Sequence, residues 1–125
     1  MKKEISGEGI PAAVGPYSAA VKSGNIIFTS GQLPINPETN QLVNDDVKKA
    51  TKQIFDNIKI ILEKEGFNLD DIVKVTVFST SMNYFAEFND YYSTLFTKPY
   101  PARSFIEVSK LPKDAIIEIE VVAIK

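Results

Sequence analysis

The sequence contains no cysteine, no histidine and no tryptophan, and among its 14 basic side chains there is a single arginine, Arg103. Each absence removes a class of chemistry. Without thiols there is no disulfide framework, no thiolate metal site and no cysteine nucleophile, and a reducing compartment is expected. Without imidazole there is no histidine-ligated metal centre and no Ser-His-Asp triad. Catalysis, if any, has to run on carboxylates, Lys, Tyr, Arg, backbone groups or water. Long hydrophobic runs are also missing, the aliphatic stretches falling far short of the ~20 residues that cross a bilayer. The charged start Met1-Lys2-Lys3 leads into Glu4, Ser6, Gly7 and Glu8 where a secretory signal needs apolar residues. The expectation is a cytoplasmic protein without a membrane partner. A net charge of -2 and a pI near 5.2 oppose a nucleic-acid binder held by phosphate contacts, which needs a basic stripe.

What is present is ordinary globular composition, 44% hydrophobic and 24% charged over 125 residues, which predicts one domain spanning 1–125. Ser18 to Ser30 reads as a hairpin turning at Ser23-Gly24-Asn25, and the Leu33 to Asn40 stretch as a surface loop. From Asn44 or Asp45 as cap, Val47, Ile54, Ile58 and Ile61 recur at helical spacing until Gly66. Ile72 to Phe78 is β-branched and strand-like. Met82, Phe85, Phe88, Tyr91 or Tyr92, and Leu95 mark a second amphipathic helix capped at Ser81 or Asn83, whose aromatics are read as core. Arg103 to Ser109 and Ala115 to Ile124 close the chain as strands around Leu111-Pro112-Lys113-Asp114. This order predicts an α+β fold with two helices on one face of a single mixed sheet.

Alternation then assigns faces. In the last strand Ile117, Ile119, Val121 and Ala123 form the helix-side row and Ile116, Glu118, Glu120, Val122 and Ile124 the far row. Matching Ile106 and Val108 to the helix side puts Arg103, Phe105, Glu107 and Ser109 on the far face, so that Arg103 and Glu118 are expected to share one side. A far face carrying Phe105, Ile116, Val122 and Ile124 predicts a covering subunit.

Arg103 stands out because a planar, permanently charged fork suits bidentate capture of a carboxylate and is poorly replaced by an ammonium. It can equally pair with Glu107, Glu118 or Glu120 within the chain. Glu118 and Glu120 can position water or act as acid and base, or form a solvated edge. Gly15-Pro16-Tyr17 reads as a turn with an aromatic plug or as a pocket wall offering the Tyr17 hydroxyl. Ser30-Gly31 reads as a bulge, or as a place where backbone N–H groups approach a ligand.

Several separated blocks in order resemble the reactive intermediate deaminase family (RidA, also called YjgF): Ile10 to Tyr17 (IPAAVGPY), Thr29 to Pro34 (TSGQLP), Asn36-Pro37, Asp71 to Phe78 (DIVKVTVF), and above all Pro101 to Ser104 (PARS) with Val108, Leu111-Pro112 and Ile117 to Glu120 (IEIE). The resemblance implies a chorismate-mutase-like fold with a mixed, mostly antiparallel six-stranded sheet, a homotrimer with a central barrel of sheets, and sites between subunits. It implies hydrolysis of 2-aminoacrylate, 2-aminocrotonate and their imine tautomers to 2-oxo acids and ammonia, without a cofactor, downstream of pyridoxal-phosphate-dependent dehydratases. Carried over by position, Arg103 takes the substrate carboxylate, Glu118 positions water, and Tyr17, Ser30, Gly31 and Asn89 line the pocket. Phe105 departs from the pattern, since many members have cysteine there; no thiol then takes part, and at this substrate-binding position Phe105 either narrows the pocket or contributes only backbone contacts. Beside this reading stand two others, a regulatory protein that binds small carboxylates without turnover, and a translation inhibitor or endoribonuclease, against which the missing histidine and acidic pI weigh.

Overall fold

A computed structural model describes all residues from Met1 to Lys125. The chain runs β1 (Lys3–Ile5), β2 (Ala20–Ser23), β3 (Ile26–Thr29), β4 (Ile35–Asn36), β5 (Gln41–Leu42), α1 (Val47–Glu63), β6 (Ile72–Ser79), α2 (Phe85–Tyr92), β7 (Ala102–Glu107) and β8 (Ile117–Ile124). Six strands form one sheet in the order β1-β2-β3-β8-β6-β7, and β4 pairs with β5 separately. All pairings in the large sheet are antiparallel except β6 with the edge strand β7. Two helices on a mixed sheet is the architecture expected from the order of elements; β1 is a sixth strand beyond the five read from the sequence. No helix is long and apolar enough to cross a membrane.

The core lies between the helices and one face of the sheet. In α1, Ile54, Ile58, Ile61 and Leu62 are fully buried against the helix-side row Ile117, Ile119, Val121 and Ala123 of β8, each large side chain contributing about 1.5–3 kcal/mol. The helix starts at neither expected cap: Asp46 does the work, its Oδ1 accepting from the Lys49 N–H at 3.0 Å, a bond worth about 1 kcal/mol. Asn44 is used elsewhere. Its Oδ1 accepts from the Ile116 N–H at 2.9 Å and its Nδ2 donates to the Asp114 carbonyl at 3.0 Å, pinning the turn that precedes β8. The second helix is shorter than its apolar periodicity predicts. A 3-10 turn over Met82–Tyr84, capped by Ser81, precedes α2, and the regular helix ends at Tyr92. The stretch read as a surface loop contains β4 and leads directly into its partner β5, with Ile35 buried and its carbonyl accepting from Asn57 Nδ2 of α1 at 2.8 Å.

One expectation is overturned. The parallel register pairs Val75 with Arg103 and Val77 with Phe105, and Val75 and Val77 are fully buried on the helix side. Arg103 and Phe105 therefore face the helices, while Ser104 and Ile106 face away; Ile106 is 43% exposed. Two aliphatics at Ile106 and Val108 suggest the opposite alternation, but the large Phe105 ring takes the core position, packing on Phe88. Glu118 pairs with Phe78 on the far face, so Arg103 and Glu118 lie on opposite sides of the sheet. The far face is nonetheless apolar, with Phe28, Ile106 and Ile124 exposed on it.

Candidate functional site

The site begins with an irregularity in the β3–β8 ladder. Phe28 pairs with Val122 and the next bridge joins Gln32 to Ile119, four steps along one strand against three along the other, which is a bulge of one residue. Thr29 bridges the gap, its Oγ1 accepting from the Val121 N–H at 3.0 Å. Ser30 is anchored through Oγ to the Ser18 carbonyl at 2.6 Å and through its N–H to the Ala19 carbonyl at 2.9 Å. The buried Gln32 side chain donates to the carbonyls of Ala19 and Ser30, both at 3.3 Å. The Gly31 N–H, by contrast, has no partner within the chain.

Gly31 and Glu118 are in direct contact. A methyl group at Gly31 would fall 2.7 Å from Cδ and 2.9 Å from Oε2 of Glu118, so a side chain here would displace the carboxylate from its present position. Burial pushes the Glu118 carboxyl above the ordinary carboxylate range, and the like charge of Glu120 adds to it. Glu118 accepts no hydrogen bond from the chain and belongs to none of its ion pairs. It opens into a cavity of about 530 Å³ whose walls include Tyr17, Ser30, Gly31, Glu120 and Lys113. Tyr17 is half exposed, with the Val14 N–H 3.5 Å from its hydroxyl. Lys113, held at a positive φ of 58° in the turn that Asn44 pins, is a pocket residue that sequence reasoning missed; its neighbouring Pro112 signals a turn but not where that turn points.

Arg103 lies in a second cavity of about 330 Å³, with Asn89, Tyr92, Ser93, Tyr100 and Pro101. None of the chain's ion pairs includes it. The three acids that could neutralise it are otherwise placed: Glu107 Oε1 accepts from the Met82 N–H at 2.8 Å, and Glu118 and Glu120 lie across the sheet. What surrounds the guanidinium is aromatic, with Tyr92 4.9 Å and Phe88 5.3 Å from its central carbon to the ring centres. Tyr92 is buried with its hydroxyl unpartnered, and that burial pushes the phenol up to about 12, against the opposing pull of Arg103.

The expected residues thus divide between two separate cavities. Tyr17, Ser30, Gly31 and Glu118 come together in one; Arg103 and Asn89 come together in the other, with the Phe105 ring beside the guanidinium. Phe85, Phe88 and Tyr92 satisfy the helical periodicity so well that nothing in their spacing marks them as neighbours of the arginine. No cluster of three carboxylates suited to a metal ion is present.

A family model described as Endoribonuclease L-PSP matches residues 8–125. The chain is 49% identical over 125 residues to a RutC family protein of Pyrococcus horikoshii, covering 100% of this chain and 99% of that protein. It is 48% identical over 128 residues to the 2-iminobutanoate/2-iminopropanoate deaminase of Escherichia coli K12, again covering 100% and 99%. Among solved structures, E. coli TdcF with bound serine superposes with a TM-score of 0.92 at 39% identity, covering 98% of each chain.

Proposed function

The chain belongs to the RidA/YjgF family, and from that premise we propose that it hydrolyses 2-imino acids to 2-oxo acids and ammonia, at sites formed where the Arg103 pocket of one copy meets the Glu118 pocket of another. The observation that carries this reading is the Arg103 guanidinium, open to a pocket and free of every acid in its own chain. An unneutralised fork of this kind matches the carboxylate common to such substrates. The bound serine of TdcF, an amino carboxylate, and the name of the E. coli relative support the same chemistry.

Arg103 takes the substrate carboxylate in two parallel hydrogen bonds and so fixes the adjoining C=N carbon. Glu118 accepts a proton from water as the water oxygen adds to that carbon of the protonated imine (C=NH2+), giving a neutral carbinolamine. As the C–N bond breaks, Glu118 returns that proton to the NH2 group, which leaves as ammonia, and then takes the hydroxyl proton as the new C=O forms, passing it to solvent. A carboxylate lifted by burial is closer to the working pH and better at both halves of that transfer. The enamines 2-aminoacrylate and 2-aminocrotonate enter as their imine tautomers, supplied by pyridoxal-phosphate-dependent dehydratases. The protein itself needs no cofactor.

Since the two half-sites lie on opposite faces of one sheet, a closed homotrimer whose sheets form a barrel would cover the exposed Phe28, Ile106 and Ile124 and let each copy complete its neighbour. Release of 2-oxo acid from a dehydratase reaction, followed with and without the protein, tests the activity. Mixing Arg103→Ala and Glu118→Ala chains tests the shared site. Two inactive variants that regain roughly a quarter of wild-type activity after co-refolding match random assembly of sites from neighbouring copies; no recovery overturns it. Binding of 2-oxobutanoate without faster imine decay is the result that favours a purely regulatory role.

A further inference from the structure

A half-buried charged side chain without an acid partner needs another source of stabilisation, and around Arg103 that source is aromatic. Its central guanidinium carbon lies 4.9 Å from the ring centre of Tyr92, 5.3 Å from Phe88, 5.6 Å from Phe85 and 6.0 Å from Phe105. The rings hold one another: Phe85 meets Phe105 edge-on at 5.1 Å, Phe105 meets Phe88 at 5.3 Å, and Phe88 lies 5.2 Å from Tyr92. Phe88 and Tyr92 are buried in the core and Phe85 is 40% exposed, so the arrangement has a fixed floor and an outer wall.

The choice of partner has a consequence for the donors. A carboxylate beside an arginine occupies its N–H groups, whereas a ring face attracts the cation through its π-electrons and leaves them vacant. The faces also restrict where the planar fork can lie. Resting on the proposed deaminase reading, we infer that Phe85, Phe88, Tyr92 and Phe105 are positioning residues that hold the Arg103 guanidinium oriented and keep its donors available for the substrate's acid group. On this view Phe105, which stands where many family members carry cysteine, forms one wall of the guanidinium's seat.

The carboxylate is bound alike before and during reaction, so weakening the seat raises KM and leaves kcat alone. The experiment compares full-length wild type with Phe85→Leu, Phe105→Leu, Phe105→Tyr and Arg103→Ala, measuring kcat and KM for 2-iminobutanoate generated in solution, the Kd of 2-oxobutanoate by calorimetry, and Tm. Both leucine variants are expected to raise KM and Kd about tenfold with kcat within about twofold, and Phe105→Tyr, which keeps a ring, to match wild type. Leucine variants that stay folded with unchanged KM and Kd, or a tyrosine variant as impaired as the leucine, overturn the inference. Should Phe105→Leu unfold, the exposed Phe85 decides alone. If Arg103→Ala leaves binding and turnover intact, the deaminase site itself is wrong; if Arg103→Ala abolishes both while the leucine variants do nothing, only the aromatic seat is.

Discussion

Around Arg103 the chain presents four aromatic rings and no acid, while around Glu118 it presents a bulged backbone, a glycine and a second carboxylate. The first neighbourhood steadies a charge that cannot be removed; the second unsettles one that can. An arginine stays protonated in any protein environment, so its surroundings can only orient it. A glutamate can gain or lose its proton, so burial and a like charge change its chemistry as well as its position. The comparison teaches that the two regions are built on different principles, so that under the proposed function gripping and proton transfer would be separable and each open to perturbation alone.

The largest effects come from removing either group. Glu118→Gln is expected to lower kcat by about 100- to 10,000-fold with little change in 2-oxobutanoate binding, and Arg103→Lys to lower kcat/KM by roughly 100-fold, mostly through lost binding, because an ammonium cannot reproduce the fork. Steady-state kinetics beside calorimetry separates the two, and a variant that loses both properties equally breaks the division. Next is Gly31→Ala. Its methyl cannot coexist with the Glu118 carboxylate where it now lies, so kcat should fall about tenfold while Tm moves little, the carboxylate swinging rather than the backbone.

Smaller is the effect of charge on the pH profile. Glu118 sits above the ordinary carboxylate range, mainly through burial and secondarily through Glu120. Its ionised form is the base, so activity falls as pH drops through the raised pKa, and Glu120→Gln should carry that acid limb to lower pH. The stability sign is opposite to that of a paired carboxylate. The folded state holds the Glu118 proton more tightly than the unfolded one, so stability declines as pH rises from the usual glutamate value through the raised one, and the penalty is complete above it. Glu118→Gln should therefore raise Tm at neutral pH while it destroys activity; a lower Tm breaks the account. The smallest change is expected at Tyr92→Phe, which deletes a buried hydroxyl without a partner. Stability by urea unfolding should hold or improve by up to about 1 kcal/mol.

Much of this was legible in the sequence because it depends on local signals. The hairpin at Gly24, the 3.6-residue spacing of α1 and the alternation in β8 each report burial directly, and the Ser30-Gly31 bulge is where its composition suggests. The face of β7 was not legible. It depends on a parallel register with β6 that no residue within β7 specifies, and the competing apolar pairs, Arg103 side or Ile106 side, differ only in which is buried by α2. For the same reason the sequence identifies Arg103 and Glu118 individually but not their separation by the sheet. The aromatic residues of α2 explain themselves as core, and only coordinates reveal that the same rings also meet a guanidinium.

The one-residue bulge between Phe28 and Gln32 separates robustness from competence. A deletion that restored an even ladder with β8 would give a more regular sheet, with Gln32 still opposite Ile119, yet it would remove the irregular stretch at Ser30-Gly31 against which the Glu118 carboxylate lies. A sturdier scaffold and a seat for that carboxylate thus make opposite demands on the number of residues at this one place.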